Sequence, residues 1–436
     1  MNTAEYCGLV GERNNSAGSE IEILFLSSCN KASGDFGEHT PFQTVIVKIW
    51  LNYNLTCDTN IWGKSRLRFI KKLDHLTKKG MHMNDNIYEK LRERIDSYSV
   101  GFSATPSGIE IKILQKIFNP VEAEIYLQME RKLETAETIA RRVGQDTEIV
   151  GDILRGMTAK GLTFPRTKAG VKYYAAAPFM HGFFEHIAVK GMDKELAKMF
   201  EDYRWGGFIP KTKTLRTVPI NVSIDSHKPV MPYDDVKKIV EGKVRIGLFP
   251  CACAAVMKVL ETKCDKPFDV CIGFDYYAEY AIEEYGVGRW ITREEALDVL
   301  RRSEEAGLVH QVGGDRRNVE AICNCCSDCC GILKAFKMLP NPAKYSGSNY
   351  ISCLDANYCN LCEVCIDRCP MGAIAVGTDS VIINTERCIG CGLCTTTCPT
   401  EAITLAMKPE DKIKLPPSPD RYTFMRSSLD YDKDVE

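Results

Sequence analysis

Apolar residues recur at helical spacing in two stretches of the chain, and these set the first structural expectations. Residues 120–129 predict a helix. Thr135 predicts the cap of a second, with Ala136, Ile139, Ala140 and Val143 on one face and Gly144 at its end. Asp146 or Thr147 caps a third, with Ile149, Val150, Ile153, Leu154 and Met157 as its buried stripe and Gly161 as its stop. Residues 163–175, containing Arg166-Thr167-Lys168-Ala169-Gly170, predict a hairpin. Further on, Thr292-Arg293-Glu294-Glu295 has the form of a capping box. It opens a helix through Ala306 whose stripe is Ala296, Leu297, Val299, Leu300 and Ser303. Gly307-Leu308-Val309-His310 leaves that helix as a strand, and His310, among apolar neighbours, reads as structural. Residues 1–82 lack such order, since the apolar patches at 21–26 and 44–51 stand unconnected.

Composition narrows the class. A chain of 436 residues with 44% hydrophobic and 26% charged residues is an ordinary globular one, long enough for two to four domains. A net charge of −2 gives no general attraction to nucleic acid or to an anionic membrane surface. No stretch reaches the roughly 18–20 apolar residues that span a bilayer. No basic region precedes an apolar run at the N-terminus, so no signal peptide is expected. With no export signal, 21 cysteines point to metal centres in a reducing cytoplasm rather than to disulfides.

The helix–helix–helix–hairpin order of residues 119–184 resembles a winged-helix domain. Such domains often bind DNA, but residues 120–180 carry nine basic and eight acidic residues. The third helix sets Asp146, Glu148 and Asp152 against Arg155 and Lys160, with no cluster of Asn, Gln and Arg to read base edges. A protein-docking or scaffolding role is the expectation. In Pro178-Phe179-Met180-His181-Gly182-Phe183-Phe184-Glu185-His186, a packed helix with satisfied histidines is expected over histidine ligands.

The chemistry lies in the cysteines. Near the C-terminus run Cys359-x2-Cys362-x2-Cys365-x3-Cys369-Pro370 and Cys388-x2-Cys391-x2-Cys394-x3-Cys398-Pro399. The second copies the first at an offset of 29 residues, and Ala373-Ile374 matches Ala402-Ile403. This duplicated unit resembles the two-cluster bacterial ferredoxins, and its spacing is not that of a zinc site. The resemblance implies a βαβ-βαβ pseudo-twofold fold and two [4Fe–4S] clusters. Cluster one would take Cys359, Cys362, Cys365 and Cys398. Cluster two would take Cys388, Cys391, Cys394 and Cys369. Gly390 and Gly392 let the second loop approach its cluster, whereas the first loop has Leu361 and Glu363 in their place, and Glu363 adds negative charge there.

Ten more cysteines follow Met83. One group is Cys251, Cys253, Cys264 and Cys271, a candidate third site for an iron–sulfur cluster or zinc. Cys251 and Cys253 are expected at a helix N-terminus, which favours thiolates. The other group is Cys323, Cys325, Cys326, Cys329 and Cys330, a candidate further site. Adjacent cysteines point in different directions, so these five do not suit one cube. A fourth cluster, ligands completing the third, or a dithiol/disulfide site all remain readings. Cys329-Cys330-Gly331 resembles the Cys-Cys-Gly elements at non-cubane clusters of disulfide-reducing enzymes. Cys353 stands apart. Neither G-x-G-x-x-G nor G-x-x-x-x-G-K-[ST] occurs, so a Rossmann dinucleotide loop and a P-loop have no support.

The expected organisation is an α+β multidomain chain. Residues 1–82 would be a non-native or disordered leader, because Lys78-Lys79-Gly80 is what a purine-rich, ribosome-binding-site-like stretch encodes, a few codons before a start at Met83 or Met81. Residues 83–200 would be the winged-helix domain, 201–345 a central Cys-rich α/β module, 346–407 the two-cluster ferredoxin domain and 408–436 an extended tail. From Met83 on, the whole resembles large ferredoxin-domain iron–sulfur proteins of anaerobic bacteria. It implies a soluble electron carrier or oxidoreductase component working with redox partner proteins. The alternatives are a redox-sensing winged-helix transcription regulator and a cluster-delivery protein.

Overall fold

The computed structural model describes residues 86–98, 101–204, 215–219, 234–314 and 318–416. The leader expected over 1–82 and the tail beyond 416 lie outside the described residues. Helix α1 (Ile87–Asp96) buries Ile87, Leu91 and Ile95, one residue per turn of the same face. Helices α2 (Ile109–Ile117) and α3 (Pro120–Gln128) follow. Helix α3 opens on a capping box: Asn119 Oδ1 accepts from the Glu122 N–H at 2.9 Å, and Glu122 Oε2 accepts from the Asn119 N–H at 2.9 Å.

Strand β1 (Glu134–Thr135) leads into α4 (Ala136–Val143), capped by the Thr135 hydroxyl and ended by Gly144 at φ 65°. Asp146, not Thr147, caps α5 (Thr147–Ala159), accepting from the N–H groups of Glu148 and Ile149. Val150, Ile153, Leu154 and Met157 are buried as their spacing predicts, and Ile149 is half-buried. Strands β2 (Thr163–Lys168) and β3 (Val171–Ala176) form an antiparallel hairpin with β1 added on the β3 edge.

The segment after the hairpin corrects an expectation. Met180 to Gly182 is not helical, and His181 sits at φ +54°. Phe179 and Phe183 both enter the core, while Glu185 accepts from the Gly182 N–H at 3.0 Å and fixes the turn. Helix α6 (Phe184–Lys190) starts only beyond it, and α7 (Lys194–Tyr203) follows, capped by Asp193.

The central part is built on strands β4 (Leu215–Thr217), β5 (Ile246–Pro250), β6 (Asp269–Phe274), β7 (Arg289–Ile291), β8 (Val309–Gly314) and β9 (Val319–Cys325). They form one sheet in the order β4-β8-β9-β6-β5-β7. Every pair is antiparallel, so the module is α+β in construction rather than α/β. Its helices are α8 (Val236–Glu241), α9 (Ala252–Val259), α10 (Asp275–Glu279), α11 (Arg293–Glu305) and α12 (Gly331–Met338). Thr292 caps α11, accepting from the Glu295 N–H at 3.2 Å, but the reciprocal half of the expected box is not made because the Glu295 carboxylate pairs with Arg289.

Strand alternation sorts the sheet's side chains. Ile246, Leu248, Ile272, Phe274 and Ile322 pack with Ala296, Val299 and Leu300 of α11. On the same face, His310 is fully buried as expected, with Nδ1 2.5 Å from Asn324 Oδ1 and Nε2 3.0 Å from Glu304 Oε1. The opposite face presents Phe249, Cys271, Cys323 and Cys325.

The C-terminal part comprises β10 (Tyr350–Leu354), α13 (Val364–Arg368), β11 (Ile374–Val376), β12 (Val381–Ile383) and β13 (Ile403–Met407). β10 pairs with β13 and β11 with β12, both antiparallel. One buried cluster includes Leu91 and Phe102, Val256 and Phe336, and Met371, Ile389 and Leu393. Packing is therefore continuous across residues 200 and 345, where the sequence changes character. Beyond β13, the Lys414 N–H donates to Asn349 Oδ1 at 2.8 Å and its carbonyl accepts from Arg216 at 2.6 Å.

Candidate metal centres

Cys359, Cys362, Cys365 and Cys398 line one cavity in the C-terminal part, and Cys369, Cys388, Cys391 and Cys394 line another. The fourth cysteine of each run lies with the other run's first three. The two loops achieve this with the same backbone. Gly390 and Gly392 have φ of 67° and 79°, and the residues 29 positions earlier, Leu361 and Glu363, have φ of 56° and 62°. At Gly390 a Cβ would stand 2.2 Å from the Tyr350 carbonyl oxygen, so glycine is required there. The first loop, nearer solvent, accepts the strain of two left-handed side-chain-bearing residues instead.

The sulfurs are also hydrogen-bonded. The Ala373 N–H donates to Cys369 Sγ at 3.2 Å and the Ser352 N–H to Cys388 Sγ at 3.5 Å. Ser352 Oγ lies 3.3 Å from Cys394 Sγ, and Thr400 Oγ1 3.6 Å from Cys398 Sγ. Burial pushes the Cys369, Cys391 and Cys394 thiols up, Cys394 to about 12. At Cys398, burial also acts upward, but Thr400 and neighbouring backbone N–H groups bring the thiol below its usual value. Buried thiols pushed upward become thiolates only beside a cation, which iron supplies. Four convergent sulfurs with N–H and O–H donors around them fit an iron–sulfur cube.

Residues 381–404 match the family model described as a 4Fe-4S binding domain. The C-terminal region carries a 4Fe–4S ferredoxin domain. The chain is 32% identical over 103 residues to an uncharacterized ferredoxin of Methanocaldococcus jannaschii, covering 23% of this chain and 64% of that one. It is 42% identical over 41 residues to a ferredoxin of Streptomyces griseus, covering 9% and 39% of the two chains. It is 41% identical over 46 residues to a ferredoxin of Rickettsia felis, covering 11% and 38%. The chain thus spans less than two thirds of the length of each of these relatives. No solved structure matches it significantly.

The ferredoxin domain packs against a central module whose nine cysteines sort differently from their order in sequence. Six of them, Cys251, Cys253, Cys271, Cys323, Cys325 and Cys330, line a largely apolar cavity of about 90 Å³. Their thiols interact in a connected series, Cys253–Cys330–Cys325–Cys323–Cys271–Cys251. The other three, Cys264, Cys326 and Cys329, meet elsewhere: Cys264 Sγ is 3.6 Å from Cys326 Sγ and 3.5 Å from Cys329 Sγ. Each sequence-local group is therefore divided. Cys264 leaves the first, and Cys326 and Cys329 leave the second.

The reason is local geometry. Cys323 and Cys325 are two residues apart on β9 and share a face. Cys326 follows Cys325, and Cys329 precedes Cys330, so each adjacent pair is split between the two sites.

Electrostatics at the six-cysteine cavity favour anions. Cys251 is the N-cap of α9 and Cys330 the N-cap of α12, so two helix N-termini converge there. Cys253 and Cys325 hold Cys330 well below an ordinary thiol, helped by the N–H groups of Leu333 and Ile332. Contact with Cys271 and Cys325 lowers Cys323 likewise, and the thiols of Cys253, Cys271 and Cys325 rise as the donors of these contacts.

Three ionisable groups complete the wall. Arg204 is 3% exposed; it donates to the Cys329 carbonyl at 3.1 Å, and its charge offsets only part of the upward push on the neighbouring Cys253 thiol. His181 is buried beside Cys323, and neither of its ring nitrogens makes a well-formed hydrogen bond, so it is not the satisfied helical histidine the sequence suggested. Glu185 is half-buried at the same wall, its carboxyl pushed up by desolvation. Sequence reasoning did not single out Arg204 or Glu185. Both sit at ends of ordinary amphipathic segments, and nothing local marks them. Cys353, exposed on β10, belongs to neither group.

Proposed function

We propose that the chain is an iron–sulfur electron-transfer protein, or the electron-carrying component of an oxidoreductase. It would pass single electrons between a redox partner protein and the six-cysteine cavity. Two [4Fe–4S] clusters would be held by the sets Cys359/Cys362/Cys365/Cys398 and Cys388/Cys391/Cys394/Cys369, each supplying one-electron chemistry. The six-cysteine cavity would hold a further iron–sulfur centre.

The supporting observation is the gradient of burial. In the first set Cys362 is exposed, Cys359 and Cys398 are half-buried and only Cys365 is buried, whereas in the second Cys388, Cys391 and Cys394 are buried and only Cys369 is half-buried. Cys391 shares the continuous core with Cys325 and Cys330. The first set thus faces solvent, with Tyr358 and Val364 exposed beside it as a contact surface for a partner. The second set faces the central module. Among the described residues no helix is long and apolar enough to cross a membrane; a cytoplasmic setting belongs to the proposal.

In this proposal the winged-helix segment of residues 119–184 serves as a docking element. On its third helix Arg155 pairs with Asp152, and Lys160 at its end pairs with buried Glu122, so both cations are engaged within the protein. No DNA binding at low salt is expected in gel shifts of oxidised and reduced protein. Salt-resistant, sequence-specific binding would replace this reading with that of a redox-sensing regulator.

EPR of the anaerobically reduced protein tests the clusters. Cys362→Ser and Cys398→Ser should abolish the same cluster signal and leave a second one. If Cys398→Ser instead removes the signal that Cys391→Ser removes, the ligand sets are wrong.

A further inference from the structure

Cys264, Cys326 and Cys329 differ from the other cysteine sets in one respect. Their three sulfurs all lie within 4.8 Å of one another, and no other group of three His, Cys, Asp or Glu ligand atoms does so among the described residues. Two of the separations are 3.6 and 3.5 Å. Ligands on one tetrahedral ion with metal–sulfur bonds of about 2.3 Å stand about 3.8 Å apart. Thiolates on a cube each cap a different iron and point away from the centre, so they stand farther apart. The ferredoxin sets provide the comparison within the same molecule: no three of their sulfurs approach so closely.

The turn carrying two of these cysteines has the form of a metal knuckle. In Cys326-Ser327-Asp328-Cys329, the Cys329 N–H donates to Cys326 Sγ at 3.2 Å. Such a bond favours a sulfur that carries negative charge and orients it toward a shared centre. Cys264 closes the triad from the loop between α9 and β6, 62 residues away in sequence from Cys326. Cys329 is fully buried and Cys264 half-buried, so the site has one side toward the surface.

We infer that Cys264, Cys326 and Cys329 bind a single divalent ion, zinc or ferrous iron, at a mononuclear site separate from every iron–sulfur centre of the chain, with its fourth position filled by a ligand from outside this triad. The inference is independent of the electron-transfer reading. The ion ties the α9–β6 loop to the β9–α12 turn. It thereby holds the outer members of the adjacent pairs, Cys325 and Cys330, facing the six-cysteine cavity.

The test uses full-length protein purified anaerobically, with iron, zinc and acid-labile sulfide measured per chain in wild type, Cys264→Ser and Cys323→Ser. Cys264→Ser should lose about one metal equivalent and no sulfide, because a mononuclear site contains none. Cys323→Ser should keep that ion. The element that disappears identifies the ion. If zinc, its X-ray absorption in the wild type should show sulfur neighbours at about 2.3 Å. Loss of several irons together with sulfide in Cys264→Ser would mean that the triad caps a cluster, and the inference falls. Unchanged metal content in Cys264→Ser defeats it equally.

Discussion

Ser352 sits at the junction of two cluster ligands, with Oγ 3.3 Å from Cys394 Sγ and its N–H on Cys388 Sγ at 3.5 Å. Hydrogen bonds to ligand sulfurs stabilise the more negative, reduced state. Ser352→Ala removes the hydroxyl and keeps the N–H. The potential of the cluster held by Cys388, Cys391 and Cys394 should fall by on the order of 40 mV, the one-electron equivalent of a hydrogen bond worth about 1 kcal/mol. An EPR-monitored redox titration reads this, and an unchanged or raised potential would count against the assignment. His186 offers a second residue-scale test. Its ring lies against Tyr285, tilted by 49°, with centroids 3.8 Å apart. Burial, with Lys190 adding to it, lowers its pKa from 6.5 to about 4. Between those values the unfolded chain binds a proton that the folded one does not, so the native state loses stability as pH falls from 6.5 toward 4. His186→Phe should flatten that part of the pH–stability curve; chemical denaturation of both proteins at pH 7.5 and pH 5 measures the difference.

Helix α12 shows how an element depends on what lies against its first turn. Glycine to alanine inside a helix ordinarily stabilises by about 1 kcal/mol. At Gly331, however, a Cβ would stand 2.7 Å from Arg204 Cδ, and Arg204 is held in place by Glu201 and the Cys329 carbonyl. Gly331→Ala should therefore destabilise, by about 1–3 kcal/mol. A raised melting temperature would show that Arg204 is free to yield. The same helix carries Cys330 at its N-cap and receives the ferredoxin domain at its other end, so a shift of α12 reaches the six-cysteine cavity directly.

At the scale of the molecule, Arg387 joins the ferredoxin domain to the central module. Its guanidinium donates to the carbonyls of Leu339 at 3.0 Å and Lys337 at 3.1 Å, at the end of α12, and to Met371 at 3.0 and 2.8 Å. A cation at a helix C-terminus also meets the negative end of its dipole. Arg368 makes a second tie, to the carbonyls of Glu304 and Glu305 at the end of α11. Arg387→Ala should cost on the order of 2 kcal/mol at this junction, and hydrogen exchange over residues 331–339 should quicken. Unaltered exchange there would mean that the core contact alone holds the two parts together.

Much of this was legible in the chain because it rests on short-range regularities. Helical spacing located α4, α5 and α11, with caps at Thr135 and Thr292 and at Asp146 or Thr147, since a cap and a stripe are set within a few residues. The duplicated cysteine runs pointed to iron–sulfur chemistry for the same reason. The antiparallel order of the central sheet, the break at His181 and the place of Arg204 were decided by packing between segments far apart in sequence. So was the sorting of the central cysteines. Cys264 and Cys271 are close in the chain but separated by the start of β6, and Cys325 and Cys326 are adjacent but face opposite ways. A strand's period of two and a loop's return path determine which sulfurs meet, and neither can be read from the spacing of the cysteines alone.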